Sequence, residues 1–167
     1  YFPPNLEQFN CIQTLREEVK INLKQVELDA KPVRGKTTKV FWELTSNSGN
    51  KLKYIQEEGS IYIQKSGKYY ISSQLTTRVE NSTMAFNQED QKVRHVVHLI
   101  PFKKGTERVL LEHVKSMCEM TGEYADWTSN IGAVYHLDDH DRIYVTTSHP
   151  YNIVSGSGSN FFSIHEI

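Results

Sequence analysis

The densest group of side chains able to do chemistry is His136-Leu-Asp-Asp-His140-Asp141, where imidazoles and carboxylates of the kind that hold a divalent metal stand within six positions. The run joins two strand-like segments, however, and Asp138 to His140 read as turn residues, favoured there because short polar side chains bond the local backbone. No metal is assigned to them. His95 and His98 straddle one strand and point to opposite faces, while His113 stands on another. No Ser-His-Asp, Cys-His or paired-carboxylate order stands out, and such residue types count as a catalytic set only through their geometry. Ser155-Gly-Ser-Gly-Ser159 lacks the lysine and the following helix of a phosphate loop, and reads as a flexible connection. The expectation is a binding protein, with no catalytic residues and no cofactor.

Composition narrows the partners. The chain has 167 residues, 19 basic and 20 acidic, for a formal charge of −1. With no long run of one sign, there is no electrostatic footprint for nucleic acid or an anionic membrane. A domain of this size buries roughly 70% of its unfolded surface, so folding needs no staple. Two cysteines, Cys11 and Cys118, allow at most one internal disulfide and do not define a compartment. No apolar run approaches the roughly 20 residues that span a bilayer, and no secretory leader is visible. The start at Tyr1 rather than Met suggests a processed product or fragment, leaving room for a targeting or membrane segment that was removed. Asn81-Ser-Thr83 is an N-glycosylation sequon, to be used at Asn81 if the chain is exported.

The elements that must position any site are short and mostly extended. After the Pro3-Pro4 breaker, Phe9, Ile12, Leu15 and Val19 recur at three- and four-residue spacing, which predicts a helical stalk from Asn5 to about Lys20. Alternation then takes over at Val26, Leu28 and Ala30. Strands are predicted over Val40 to Leu44, at Tyr54-Ile55, and over Ser60 to Gln64, Tyr69 to Thr77, Val93 to Ile100 and Arg108 to Lys115. Ile131 to Leu137, Arg142 to Thr147 and Phe161 to Ile167 complete the set. Ser46 to Asn50 and Lys65 to Gly67 read as a loop and a turn. Many short strands without crossover helices imply an all-β sandwich of two antiparallel sheets, and limiting their exposed edges favours a jelly roll.

Order and spacing in these strands resemble the tumour necrosis factor homology domain. Gly67-Lys-Tyr-Tyr-Ile-Ser-Ser-Gln-Leu75 is similar to that family's glycine-tyrosine strand, and Ile131-Gly-Ala-Val-Tyr-His-Leu137 to its Gly-Gly-Val-Phe-x-Leu strand. Trp42, Gly59 to Ile63, Val109 to Ser116, Asp141 to Val145 and the aromatic pair Phe161-Phe162 near the C-terminus extend the match. It covers about 24–167, so residues 1–23 are set apart as a stalk segment. Lys68, Ser72, His140 and Ser163 depart from the family pattern at an aliphatic, an aromatic and two glycine positions, which bears on subunit packing more than on the fold.

Alternation places Tyr69, Ile71, Ser73 and Leu75 on one face and Tyr70, Ser72, Gln74 and Thr76 on the other. With the first face in the core, the second is a sheet exterior bearing an aromatic and small polar groups rather than charges, which invites a partner. The same aromatics could instead fill a single chain's core. The resemblance implies that this outer layer packs three subunits about a threefold axis, with Tyr70, Ser72, Gln74, Tyr135, Phe161, His165 and Ile167 as interface candidates. It also implies receptor contact by the loop Pro101 to Gly105, where Phe102 would be the apolar anchor beside Lys103 and Lys104. Tyr151 and Asn152, on the loop from His149 to Ser159, are further candidates. Cys118 could be a free thiol, be bonded to Cys11, or join its symmetry copies on zinc as in one family member. The expected protein is thus a homotrimeric extracellular cytokine, the ectodomain of a type II plasma-membrane protein or its secreted form, that clusters cysteine-rich receptors. A complement-C1q-like trimeric recognition head is the alternative, and an enzyme of cupin type would need histidines and carboxylates gathered inside the barrel.

Overall fold

The computed structural model describes residues 18–25, 37–48, 51–80, 92–103, 105–116, 124–155 and 160–167. Eleven strands are found there: β1 (Glu18–Gln25), β2 (Thr38–Lys39), β3 (Phe41–Ser48), β4 (Leu52–Ile55), β5 (Ser60–Ile63) and β6 (Gly67–Glu80), followed by β7 (Lys92–Ile100), β8 (Arg108–Ser116), β9 (Tyr124–Leu137), β10 (Arg142–Thr147) and β11 (Phe161–Glu166). They form two antiparallel sheets, one in the order β3-β1-β11-β6-β9 and the other β4-β5-β10-β7-β8, with the short β2 paired to β10. The chain crosses between the sheets at nearly every long connection, which makes the sandwich consistent with a jelly roll. The helical element among the described residues is a single 3-10 turn, Pro150–Asn152.

Period-two burial builds the core between the sheets. Tyr69, Ile71 and Leu75 of β6 and Phe162 and Ile164 of β11 meet Ile61, Ile63, Val97, Leu99, Ile143 and Val145 of the facing sheet. Trp42 is fully buried, with its ring 5.9 Å from that of Phe162. The Tyr54 hydroxyl accepts a hydrogen bond from the Trp42 N–H at 2.9 Å and donates one to the Trp42 carbonyl at 2.6 Å, tying β4 to edge strand β3. Gly59 ends the turn between β4 and β5 at φ 66°, where a Cβ would lie 3.0 Å from the Phe41 ring.

Pairing with a long neighbour overrides local composition at several boundaries. Ser46 to Ser48, expected in a loop, belong to β3 because Lys20, Val19 and Glu18 of β1 pair with Ser46, Asn47 and Ser48. Gly67 is the first residue of β6 rather than the end of a turn. Tyr124 to Asn130 carry no clear alternation signal, yet they pair continuously with Glu80 to Gln74 and double the length expected of β9. A ladder satisfies the backbone of either strand whatever its side chains, so tertiary pairing decides such ends. Glu18 to Lys20, expected to end a helix, are in β1, which runs across the expected boundary between 23 and 24. The remainder of the expected helix lies outside the described residues, as does the alternation at Val26, Leu28 and Ala30.

Candidate functional site

The outer face of the β9-β6-β11 sheet is built from cross-strand rows. Register aligns Val134, Tyr70 and His165 in one row, Gly132, Ser72 and Ser163 in the next, and Asn130, Gln74 and Phe161 in a third. Tyr70 stacks at a tilt on His165, with ring centroids 5.2 Å apart, and its hydroxyl lies over Gly132, where any Cβ would overlap it. Ser72 and Ser163 join through their hydroxyls at 2.9 Å, and Asn130 donates to the Gln74 amide oxygen at 3.1 Å. Two of the three rows are thus bonded across the strands through their side chains, and none of the three contains Asp, Glu, Lys or Arg. Ile167 is half exposed at the margin, held by its N–H to the Lys68 carbonyl.

Tyr135 does not join this face. It pairs with Tyr69, so it lies on the core side, packs against the core and donates its hydroxyl to the Leu110 carbonyl at 2.6 Å. Period-two alternation separates Tyr135 from Val134, but which of the two faces inward is set by the pairing with Tyr69. Val134, 52% exposed, occupies the outer position expected for its neighbour.

A second cluster caps one end of the sandwich. Phe102, 66% exposed, tips the connection from β7 to β8, and its ring centroid is 4.8 Å from that of His140 in the turn from β9 to β10. The His140 ring also packs at 5.6 Å from Tyr62 of β5, and His140 Nδ1 is hydrogen-bonded to the Tyr62 hydroxyl. Beneath this trio the buried Asp141 carboxylate accepts the Phe102 N–H at 3.1 Å through one oxygen and the Asp138 N–H at 2.9 Å through the other. Lys103 reaches Asp139 at 3.3 Å; this ammonium and then the Ser66 hydroxyl hold the Asp139 carboxyl below its usual range. The acidic turn thus works as a hydrogen-bonded scaffold. Among the described residues no group of three or more His, Cys, Asp or Glu could hold a metal ion. Lys104 lies outside the described residues, as do Asn81, Cys11 and Cys118.

Tyr151 and Asn152 sit at the opposite end. Arg142 of β10 pairs with Ile100 beside the Phe102 loop, whereas Thr147 pairs with His95 and leads to the 3-10 turn. Five residue steps of strand separate the two ends, roughly 17 Å, so one chain does not gather Phe102 and Tyr151 in a single patch. Tyr151 and Asn152 instead border an open cavity of about 590 Å3 with Arg78 and residues 153–155. Arg78 is engaged by a forked ion pair to Asp126, at 2.8 and 3.1 Å, which lowers the carboxyl's pKa.

One constellation has the residue types of catalysis but not the access. His95 Nδ1 is 2.8 Å from the Ser129 Oγ, Nε2 is 2.9 Å from the Ser73 Oγ, and Ser129 is also 2.9 Å from His113 Nδ1. Ser73 donates its single hydroxyl proton to the Phe161 carbonyl, so it accepts from His95 Nε2–H. Neutral His95 then accepts at Nδ1 from Ser129, which in turn accepts from His113. This directed chain runs from β8 through β9, β7 and β6 to β11 and fixes both tautomers. Burial first, and the His113 imidazole second, push His95 down to about 3. A base within reach of a serine is one mark of nucleophilic catalysis, but His95 and Ser129 are each 1% exposed, out of reach of any substrate. His98 points the other way, as expected: it stacks on Tyr144 at 4.7 Å on the outer side of its sheet.

A family model described as the TNF (Tumour Necrosis Factor) family matches residues 41–167. The rat protein described as tumor necrosis factor ligand superfamily member 6 is 26% identical over 136 residues, covering 80% of this chain and 46% of that protein. The chain thus spans about half the length of this curated relative. Crystal structures of murine APRIL at pH 5.0 and pH 8.0 superpose with TM-scores of 0.69 and 0.68, at 16% and 14% identity. Each covers 91% of this chain and 99% of its own, and at that identity the likeness is one of fold.

Proposed function

The chain belongs to the tumour necrosis factor family, and from that membership we propose that it is an extracellular cytokine that assembles as a homotrimer and clusters cysteine-rich receptors of the tumour necrosis factor receptor superfamily. The family is one of non-catalytic signalling ligands, in accord with a buried His95-Ser129 pair that no substrate can reach. The observation that carries the assembly reading is the outer face of β9, β6 and β11, whose rows hold Tyr70, Ser72, Gln74, Phe161, Val134 and His165, with Ser72 bonded to Ser163 and Asn130 to Gln74 along the sheet. Side chains bonded to one another within a face lose little on dehydration, and the face gains from burial of its aromatic and aliphatic area. Light scattering coupled to size exclusion tests it: the expected mass is three chains, and a clean monomer at micromolar concentration overturns the reading.

Receptor contact is assigned to the two ends of the sandwich, with Phe102 and Lys103 at one and Tyr151 and Asn152 at the other. Their separation suits an elongated partner lying along the long axis of the subunit. A pull-down against a panel of cysteine-rich receptor ectodomains is the direct test, and no binding by any of them, with a C1q-type ligand retained instead, would favour a complement-like recognition head. The ectodomain origin and use of the sequon at Asn81 belong to the same proposal, with Cys118 either a free thiol, bonded to Cys11 or sharing zinc with its symmetry copies. Mass spectrometry of the exported protein before and after reduction and deglycosylation reads the sequon and the Cys11–Cys118 bond.

A further inference from the structure

We propose that His140 is a positioning residue for recognition, so that Tyr62, Phe102 and His140 form one aromatic tip that enters an apolar pocket bordered by a carboxylate on the receptor. This rests on the receptor-binding reading above and extends it to two residues outside the Phe102 loop.

A 66% exposed phenylalanine on a connecting loop would ordinarily sample several rotamers, and ordering them on binding weakens affinity. Here the ring is restrained before any partner arrives. His140 packs against it at 4.8 Å, the Tyr62 hydroxyl bonds His140 Nδ1, and Asp141 holds the Phe102 N–H at 3.1 Å. His140 stands at φ 71°, a backbone state that favours glycine, and it is the described non-glycine residue with positive φ. A side chain is kept there at the expense of local strain, and what it contributes is this ring between Tyr62 and Phe102. The charge chemistry of the partner follows from Lys103, next to Phe102 in the chain, whose side chain is 64% exposed. An ammonium has three donors, and one is directed at Asp139, leaving two to meet an acceptor across an interface. An aromatic anchor flanked by such a cation complements an apolar pocket with a carboxylate at its edge.

The test compares wild type, His140→Gly, Tyr62→Phe, Phe102→Ala and the double variant Phe102→Ala with His140→Gly. Affinity for the receptor ectodomain retained from the panel is measured by surface plasmon resonance, alongside unfolding midpoints. Glycine accepts φ 71° without strain, so His140→Gly is expected to leave the midpoint unchanged while weakening binding about two- to tenfold, the range for releasing one ordered side chain. Tyr62→Phe should weaken it in the same direction. In the Phe102→Ala background, His140→Gly should add nothing, which a general structural role would not produce. Wild-type affinity of His140→Gly, or an equal loss in both backgrounds, overturns the proposal while leaving receptor binding standing. Failure of every ectodomain to bind wild type overturns the functional reading and this inference with it. A receptor-free arm reads the ring directly: the assigned Phe102 aromatic proton resonances should move toward unstructured values in His140→Gly, and unchanged resonances refute the positioning role.

Discussion

Acid should destabilise this fold through His95, and substitution of that residue should remove the effect. Its imidazole is 1% exposed, accepts from Ser129 at Nδ1 and donates to Ser73 at Nε2. A proton added at Nδ1 would meet the Ser129 hydroxyl proton and break the directed chain, in a site that already penalises charge by burial. With the folded pKa lowered from 6.5 to about 3, the unfolded chain binds the proton first. The stabilising difference is therefore complete above about pH 6.5 and is lost as pH falls from there toward 3, by about 1.4 kcal/mol per pH unit. Between about pH 7.5 and pH 5 the loss from this one site is about 2 kcal/mol, a large part of the 5–15 kcal/mol that stabilises a typical domain. Urea unfolding of wild type and His95→Gln at both pH values, at one protein concentration, isolates the effect. Glutamine keeps donor and acceptor capacity without titrating, and the difference between the proteins cancels every other titrating group. Wild type should lose about 2 kcal/mol more than the variant on acidification. Equal losses in both would refute the reasoning, showing either that His95 is not protonated on unfolding or that the serines accommodate the imidazolium.

Three further outcomes are expected. Tyr54→Phe removes the hydroxyl that serves both the N–H and the carbonyl of Trp42, and should cost about 1–3 kcal/mol in chemical unfolding, the range for a buried polar group stripped of its partner. Gly132→Ala places a methyl where the Tyr70 hydroxyl lies; because a ring at the sheet surface can swing away, monomer folding should change by less than about 1 kcal/mol, while light scattering shows weakened assembly. Phe102→Ala should weaken receptor affinity by about 1 kcal/mol or more, the usual threshold for an anchor residue, with the oligomer mass unchanged.

Strand periodicity alone carries the inner face of β6: Tyr69, Ile71, Ser73 and Leu75 alternate in the sequence and are all buried, because a pleated strand has only two faces and a core admits one. The outer identity of Tyr70, Ser72 and Gln74, and of Phe161 and His165 on β11, follows from the same alternation. So does the tip position of Phe102, since Pro101 to Gly105 interrupts two clear strands. Alternation could not orient β9, whose outer residue is Val134 and whose inner one is Tyr135, since a strand flanked by apolar residues on both faces takes its sense from the register with β6. Nor could it show that Ser73, Ser129, His95 and His113, spread over four strands, form one proton-ordered chain across the sandwich. Tyr62 and His140 are 78 positions apart and meet only because β5 and β10 pair. Sequence fixes which side chains each strand can offer to a face; long-range pairing alone determines which of them become neighbours, and a site made of neighbours from different strands exists only after that pairing.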